Sequence, residues 1–137
     1  MFTVGLLMSG CEGDNGTAFR GDLSQLIGQW RLRSFGVIGQ ETGVLAGRQI
    51  MIEFLQNGSM GGNGGCNSYG ASYRANRDGS LEFDPIVFAM MACLDPGAQE
   101  QEGRYLRALA SVERFEIAGG QLRLFYNNRT EDLIYEK

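Results

Sequence analysis

Short runs of alternating apolar and polar residues, separated by glycine-bearing turns, recur along most of this chain and point to an antiparallel sheet. Over residues 29–34, Trp30 and Leu32 fall on one face, and Arg31 and Arg33 on the other. Ile50, Ile52 and Phe54 alternate with Met51, Glu53 and Leu55, and Tyr69, Ala71 and Tyr73 with Ser68, Ser72 and Arg74. This two-residue period is that of a strand with one buried face. Asn57-Gly58 and Asp78-Gly79 are hairpin signals. Between them, residues 59–65 form a glycine-rich strand or loop. Leu81 and Phe83 make a further strand that Pro85 ends, because its missing N–H cannot join a ladder. Residues 40–47 carry only a weak pattern and read as a loop. After residue 114 the pattern resumes. Phe115 and Ile117 precede Gly119-Gly120, then Leu122, Leu124 and Tyr126 lead to a turn at Asn127-Asn128 and a last strand with Leu133 and Tyr135. Such short connections join antiparallel neighbours, and a run of them curls toward a barrel.

One segment breaks the period. Asp95 is placed as an N-cap, with Pro96 at the first helical position. Ala98, Glu102, Tyr105, Leu106 and Leu109 follow helical spacing, with Tyr105, Leu106 and Leu109 as the apolar stripe. Glu100 and Glu102 early and Arg104 and Arg107 late suit the helix dipole. Gly103 in mid-helix costs about 1 kcal/mol relative to Ala, for which a close contact with the sheet is the expected reason. The fold class predicted is α+β, predominantly antiparallel β: a small, cracked, barrel-like curled sheet with one packed α-helix.

Charge and composition narrow the function. The 137 residues include no histidine and carry a formal net charge of −4. No basic face is evident, so a nucleic-acid partner is not expected. Lack of histidine removes the commonest general base and the commonest zinc ligand. Three cysteines with no clustered acidic pattern give no metal-ligand set, so neither metal nor cofactor is expected. Residues 58–65 lack the Gly-Lys-Ser/Thr ending of a phosphate loop. No residue is assigned a catalytic role, and a non-enzymatic, monomeric protein is expected, although carboxylate-based chemistry remains a last alternative.

The N-terminus reads as a leader. Phe2, Val4, Leu6, Leu7 and Met8 form an apolar run too short to span a bilayer as a helix. It ends in Leu7-Met8-Ser9-Gly10-Cys11, which resembles a bacterial lipobox, with Cys11 as the lipidated residue; an ordinary N-terminus with an incidental cysteine is the other reading. The polar, glycine-rich stretch that follows reads as a tether. The expected organisation is a lipoprotein-like signal segment at 1–11, a flexible tether at 12–21 and one domain at 22–137. The expected location is the bacterial cell envelope, membrane-anchored through Cys11 and facing the periplasm, or soluble periplasmic or secreted if the anchor is absent.

Three blocks of the domain, in order and spacing, resemble the META domain, the heat-shock HslJ-like family. They are Leu26-x-Gly28-x-Trp30-x-Leu32; Gly62-x-x-Gly65-Cys66-Asn67-x-Tyr69 with a later Tyr73; and Met91-Ala92-Cys93 followed by Glu102-x-x-Tyr105-Leu106-x-x-Leu109. The closing Leu122-x-Leu124 also fits, and the resemblance spans about residues 23 to 136. Phe88 and Ala89 stand where the family often has threonines, so a polar role for those hydroxyls does not carry over. The resemblance implies a cracked barrel with a packed helix, frequent attachment to envelope lipoproteins, and links to heat shock and novobiocin resistance. It also implies a fold similar to that of lipid-binding pilot lipoproteins. It implies no reaction.

With Cys11 set aside, Cys66 and Cys93 form an even pair, which in an exported domain points to a disulfide; two buried free thiols or a redox site are the alternatives. Phe54, Tyr69 and Tyr73, with Trp30, either fill the barrel or line an apolar cavity. The expected function is a non-catalytic envelope lipoprotein module that binds an envelope protein or a lipid-like ligand. The alternative is a structural or stress-protective domain without a small ligand.

Overall fold

The computed structural model describes residues 23–91 and 93–137. The leader, the Cys11 anchor, the tether and Ala92 of the third motif block lie outside the described residues.

After a 3-10 turn at Leu23–Gln25, the strands are β1 (Gly28–Val37), β2 (Thr42–Gly43), β3 (Met51–Phe54), β4 (Ser59–Asn63), β5 (Ser68–Ala75), β6 (Leu81–Phe83) and β7 (Val87–Phe88). Helix α1 (Pro96–Ala110) precedes β8 (Arg114–Ala118), β9 (Gln121–Tyr126) and β10 (Glu131–Glu136). The order across the sheet is β6-β5-β4-β3-β1-β10-β9-β8, with every pairing antiparallel and with β2 added to β1 and β7 to β5. The ends nearly meet. Ser80 bridges Arg114, Leu81 N–H donates to Glu113 O at 3.1 Å, and Phe115 N–H donates to Gly79 O at 2.9 Å. Among the described residues the result is a nearly closed, barrel-like sheet with one α-helix, as the alternation and turn spacing predict.

Two details depart from the simple pattern. β1 carries a bulge between Leu32 and Ser34, so Trp30, Leu32 and Phe35 all face the core although Phe35 is out of phase with the other two. One extra residue shifts a strand by one face, which strict alternation cannot anticipate. The short strands β2 and β7 lie in segments with almost no alternation, where two ladder pairs suffice to add an edge. The β9–β10 connection turns through Asn127, Asn128 and Arg129, all at positive φ (54°, 55° and 67°), a conformation Asn adopts more readily than most residues.

The sheet's inward side chains form one core, including Trp30, Ile52, Phe54, Leu81, Leu122, Leu124, Leu133 and Tyr135. The Trp30 indole N–H donates to Leu26 O at 2.9 Å, which satisfies its polar edge inside that core. Helix α1 begins as the sequence predicts: Asp95 Oδ1 accepts from Gly97 N–H at 2.9 Å and Ala98 N–H at 3.3 Å. Its buried face is Ala98, Gln101, Glu102, Tyr105, Ala108 and Leu109. Leu106 is only half-buried, because it lies one residue, about 100° of helix rotation, from Tyr105. Glu100 and Glu102 do not serve the dipole, since the first turn holds no acid and the dipole's effect fades within it. Gly103 makes no close approach to the sheet: a Cβ there would meet only the Arg107 guanidinium, at 3.4 Å.

Candidate functional site

Of the eight described family-motif residues, Cys66 and Asn67 bond the Glu102 carboxylate, Met91 and Cys93 join through them, Gly65 lies in the same loop, and Trp30 and Tyr69 pack in the barrel core. Glu102, on the buried face of α1, is 5% exposed. Its Oε2 accepts from the backbone N–H groups of Cys66 at 2.9 Å and Asn67 at 2.6 Å, and its Oε1 accepts from Asn67 Nδ2 at 2.7 Å. Asn67 passes the connection on: its Oδ1 accepts from Met91 N–H at 3.0 Å, and its Nδ2 donates to Met91 O at 3.3 Å. Cys66 and Cys93 are bonded, with sulfurs 2.01 Å apart, beside this network. The β4–β5 loop, Met91, Cys93 and the middle of α1 are thus tied to one another by hydrogen bonds, those to the Glu102 carboxylate among them, and by one covalent bond.

The glycines of this loop make room for the carboxylate. A Cβ on Gly64 would lie 2.8 Å from Glu102 Oε2 and 2.9 Å from its Cγ. Gly65 adopts φ +110°; its N–H donates to Asn63 Oδ1 at 2.8 Å and its carbonyl accepts from Arg48 Nη1 at 3.0 Å. These contacts account for Gly64 and Gly65, while Gly61 and Gly62 lie against the backbone of neighbouring strands. The helical spacing of Glu102 with Ala98, Tyr105 and Leu109 was the available signal, since an acid on a buried stripe must find donors.

The disulfide closes a loop of 27 residues' separation. In the chain-entropy model that stabilises the fold by about 3–4 kcal/mol. Reduction of the natively folded protein is expected to lower its urea midpoint by the equivalent amount. An unchanged midpoint in excess reductant, with both thiols then free to alkylate, would show that the bond contributes nothing.

Beneath the motif loop runs a chain of tyrosines. Tyr69 Oη lies 2.8 Å from Met51 O and 2.7 Å from Tyr105 Oη, which lies 2.9 Å from Tyr135 Oη. A carbonyl only accepts, so Tyr69 donates to Met51, Tyr105 to Tyr69, and Tyr135 to Tyr105. Burial pushes all three phenols well above their usual pKa, so the chain stays protonated and neutral. Tyr69 and Phe54 therefore fill the core. Tyr73 is half-buried, edge-on to Phe54 at 5.0 Å, and lines a groove of about 680 Å³ with Leu23, Ile27 and Gln56.

A second groove, about 600 Å³, lies beside the Glu102 network between α1 and residues 86–91. Ile86, Phe88, Met90, Met91, Leu106 and Ala110 supply its apolar walls, and Gln99 and Arg107 border it. Its residues include Asn67 and Glu102, so the motif network forms part of its lining.

On the outer face of β10, Asp132 is fully buried, a residue the sequence reading did not single out. Its Oδ2 accepts from Arg123 Nε at 2.8 Å, while Oδ1 has no donor among the described residues. Burial, together with the neighbouring Glu41 carboxyl, raises the Asp132 pKa to about 6; the same contact lowers that of Glu41. Of the two, Asp132 is thus the one that keeps its proton to higher pH. For Asp132, stability is fully present below its ordinary value of 3.8 and is lost as pH rises through about 6. Glu41 acts in the opposite sense, adding stability above 4.5 that is lost as pH falls through its lowered pKa. Asp132→Asn should remove the first effect, so the urea midpoint of the variant should fall less than that of the parent between pH 4.5 and 7. Parallel curves would refute the assignment of the proton.

The comparisons with known proteins agree with this architecture. The family model described as META domain matches residues 24–136. Among solved structures, the chain is similar to a protein from Burkholderia xenovorans determined by NMR, with 29% identity and a TM-score of 0.67, covering 83% of this chain and 85% of that one. It also shares its fold with a DUF4847 family protein from Bacteroides vulgatus, at 12% identity and a TM-score of 0.58, covering 81% of this chain and 92% of that one. No curated protein matches the chain at a significant level. With the matched region spanning nearly the whole described chain, and the motif residues tied together as above, the chain belongs to the META domain family.

Proposed function

We propose that this protein is a non-catalytic module of the bacterial cell envelope, anchored as a lipoprotein through Cys11 and facing the periplasm. Its domain binds a lipid-like ligand or an apolar segment of an envelope protein, in a role of envelope stress or maintenance. The observation that carries the reading is the groove of about 600 Å³ between α1 and residues 86–91, walled by apolar side chains and edged by a few polar ones. That composition is typical of sites for apolar ligands. The bonded Cys66–Cys93 pair is in keeping with an oxidising compartment. The buried carboxylate of Glu102 is engaged by three donors, which favours a structural over a catalytic role for it.

Native mass spectrometry of the full chain purified from its own envelope tests this. The expected result is protein cleaved before Cys11, carrying the added mass of acyl chains there, with a further lipid or protein retained. An unprocessed, bare monomer would contradict the proposal. It would favour the second reading, a structural or stress-protective domain, which draws support from the motif residues being engaged in holding the fold.

A further inference from the structure

Residues 86–94 read Ile-Val-Phe-Ala-Met-Met-Ala-Cys-Leu, nine in succession without a charged or amide side chain. In a folded domain such a run is ordinarily buried, yet here Leu94 is 100% exposed, Met90 87%, Val87 74% and Met91 70%. Phe88 and, from the β2–β3 connection, Leu45 are exposed as well. Leu45 lies near the start of α1, its N–H donating to Gln101 Oε1 at 2.9 Å. We propose that this ridge is the surface by which the domain rests in a phospholipid bilayer, a refinement that builds on the lipoprotein reading above.

Two observations favour a bilayer over a protein as the occupant. The first is that much of the ridge's backbone is satisfied from the protein side. Val87 and Phe88 pair with Gly70 and Tyr69 of β5, Ala89 N–H donates to Ser68 O at 3.2 Å, and both backbone groups of Met91 bond the Asn67 side chain. Cys93 is held by its disulfide. A segment that enters hydrocarbon must keep its backbone groups bonded within the protein, and this one largely does so before any contact is made. The second is the chain leading to the domain. Eleven residues, 12–22, separate Cys11 from Leu23. That length reaches roughly 40 Å at most, so an anchor at Cys11 keeps the ridge within reach of the same leaflet. A lipid anchor combined with a second, weaker contact is a general route to stable attachment. The Glu102–Asn67 network then has a use beyond folding: it holds an apolar ridge outward that would otherwise collapse onto the core.

The test uses the full chain with Cys11→Ser, so that no anchor assists, and vesicles of phosphatidylethanolamine and phosphatidylglycerol with dibrominated acyl chains. Leu94→Trp reports from the ridge. Leu55→Trp reports from an exposed apolar position elsewhere, and buried Trp30 gives a constant background. The expected result is a blue shift and bromine quenching for Leu94→Trp alone. Adding Met90→Asp should lower its vesicle partitioning roughly tenfold or more, with the near-ultraviolet dichroism of the fold retained. No quenching of Leu94→Trp overturns the proposal, as does equal quenching at both positions, and so does photocrosslinking from position 94 in cells that captures a protein without vesicle binding. Whether Cys11 itself is acylated is read separately by mass spectrometry, so failure of the anchor and failure of the ridge give different results.

Discussion

Replacing Glu102 by alanine is expected to cost about 3–5 kcal/mol, a large share of the stability of a domain this size. The carboxylate accepts from two backbone N–H groups and one side-chain amide in a buried setting. Truncation leaves the Cys66 and Asn67 backbone N–H groups without an acceptor and strips Asn67 Nδ2 of one of its two, and each unsatisfied buried donor costs about 1–3 kcal/mol. Glutamine is the more telling substitution, because it preserves shape. One end of its amide must be –NH2. If that end faces Asn67 Nδ2, two donors oppose each other; if it faces the loop, the Cys66 and Asn67 N–H groups lose their acceptor. Flipping Asn67 does not help, because its orientation is set by the N–H and C=O of Met91. Glu102→Gln should therefore cost roughly 1–3 kcal/mol. Chemical denaturation of both variants, with the disulfide intact, measures this. If Glu102→Gln matches the parent, the charge-assisted network is not what holds the loop.

Gly62→Ala is expected to abolish the native fold or to cost at least about 4 kcal/mol, beyond the range of most single substitutions. The Tyr69 side chain crosses Gly62 to reach Met51 O, so an added Cβ would lie 1.9 Å from that carbonyl oxygen and 2.7 Å from Tyr69 Oη. The first neighbour is backbone of the adjacent strand and cannot swing away. Displacing the second breaks the tyrosine chain at its carbonyl acceptor. The same substitution at Gly103 should have the opposite sign. There the neighbour is the mobile end of Arg107, and the gain in helix propensity is about 0.5–1 kcal/mol. Urea midpoints for the pair make the comparison. Equal effects at both positions would show that the close approach of β3, β4 and Tyr69 is not a real constraint.

Much of the architecture was legible before any coordinates. Alternation and turn residues located the longer strands, and Asp95-Pro96 placed the start of the helix correctly. The motif blocks at 65–67, 91–93 and 102 were picked out, but the chemistry joining them was not. Glu102 read as a dipole residue, although its spacing with Ala98, Tyr105 and Leu109 set it on the buried face. Phe35 and the bulge before it escaped notice because a slip of one residue leaves no local mark. Asp132 sits among ordinary outward positions of a last strand, and nothing near it in sequence announces Arg123 or Glu41.

The sequence by itself determined the antiparallel curled sheet and the helix, because periodicity, caps and turn residues act over a few neighbours at a time, and its three motif blocks carried the resemblance to the family. Only the tertiary structure decided which polar groups would be buried and with whom: Glu102 with a loop 35 residues earlier, Asp132 with Glu41, and three tyrosines from separate elements in one line. It also decided that Val87, Phe88, Met90, Met91 and Leu94 of one apolar run would be exposed. The physical reason is that a buried hydrogen bond or an exposed apolar face depends on partners brought together by the closing of the barrel, and distance along the chain says little about them.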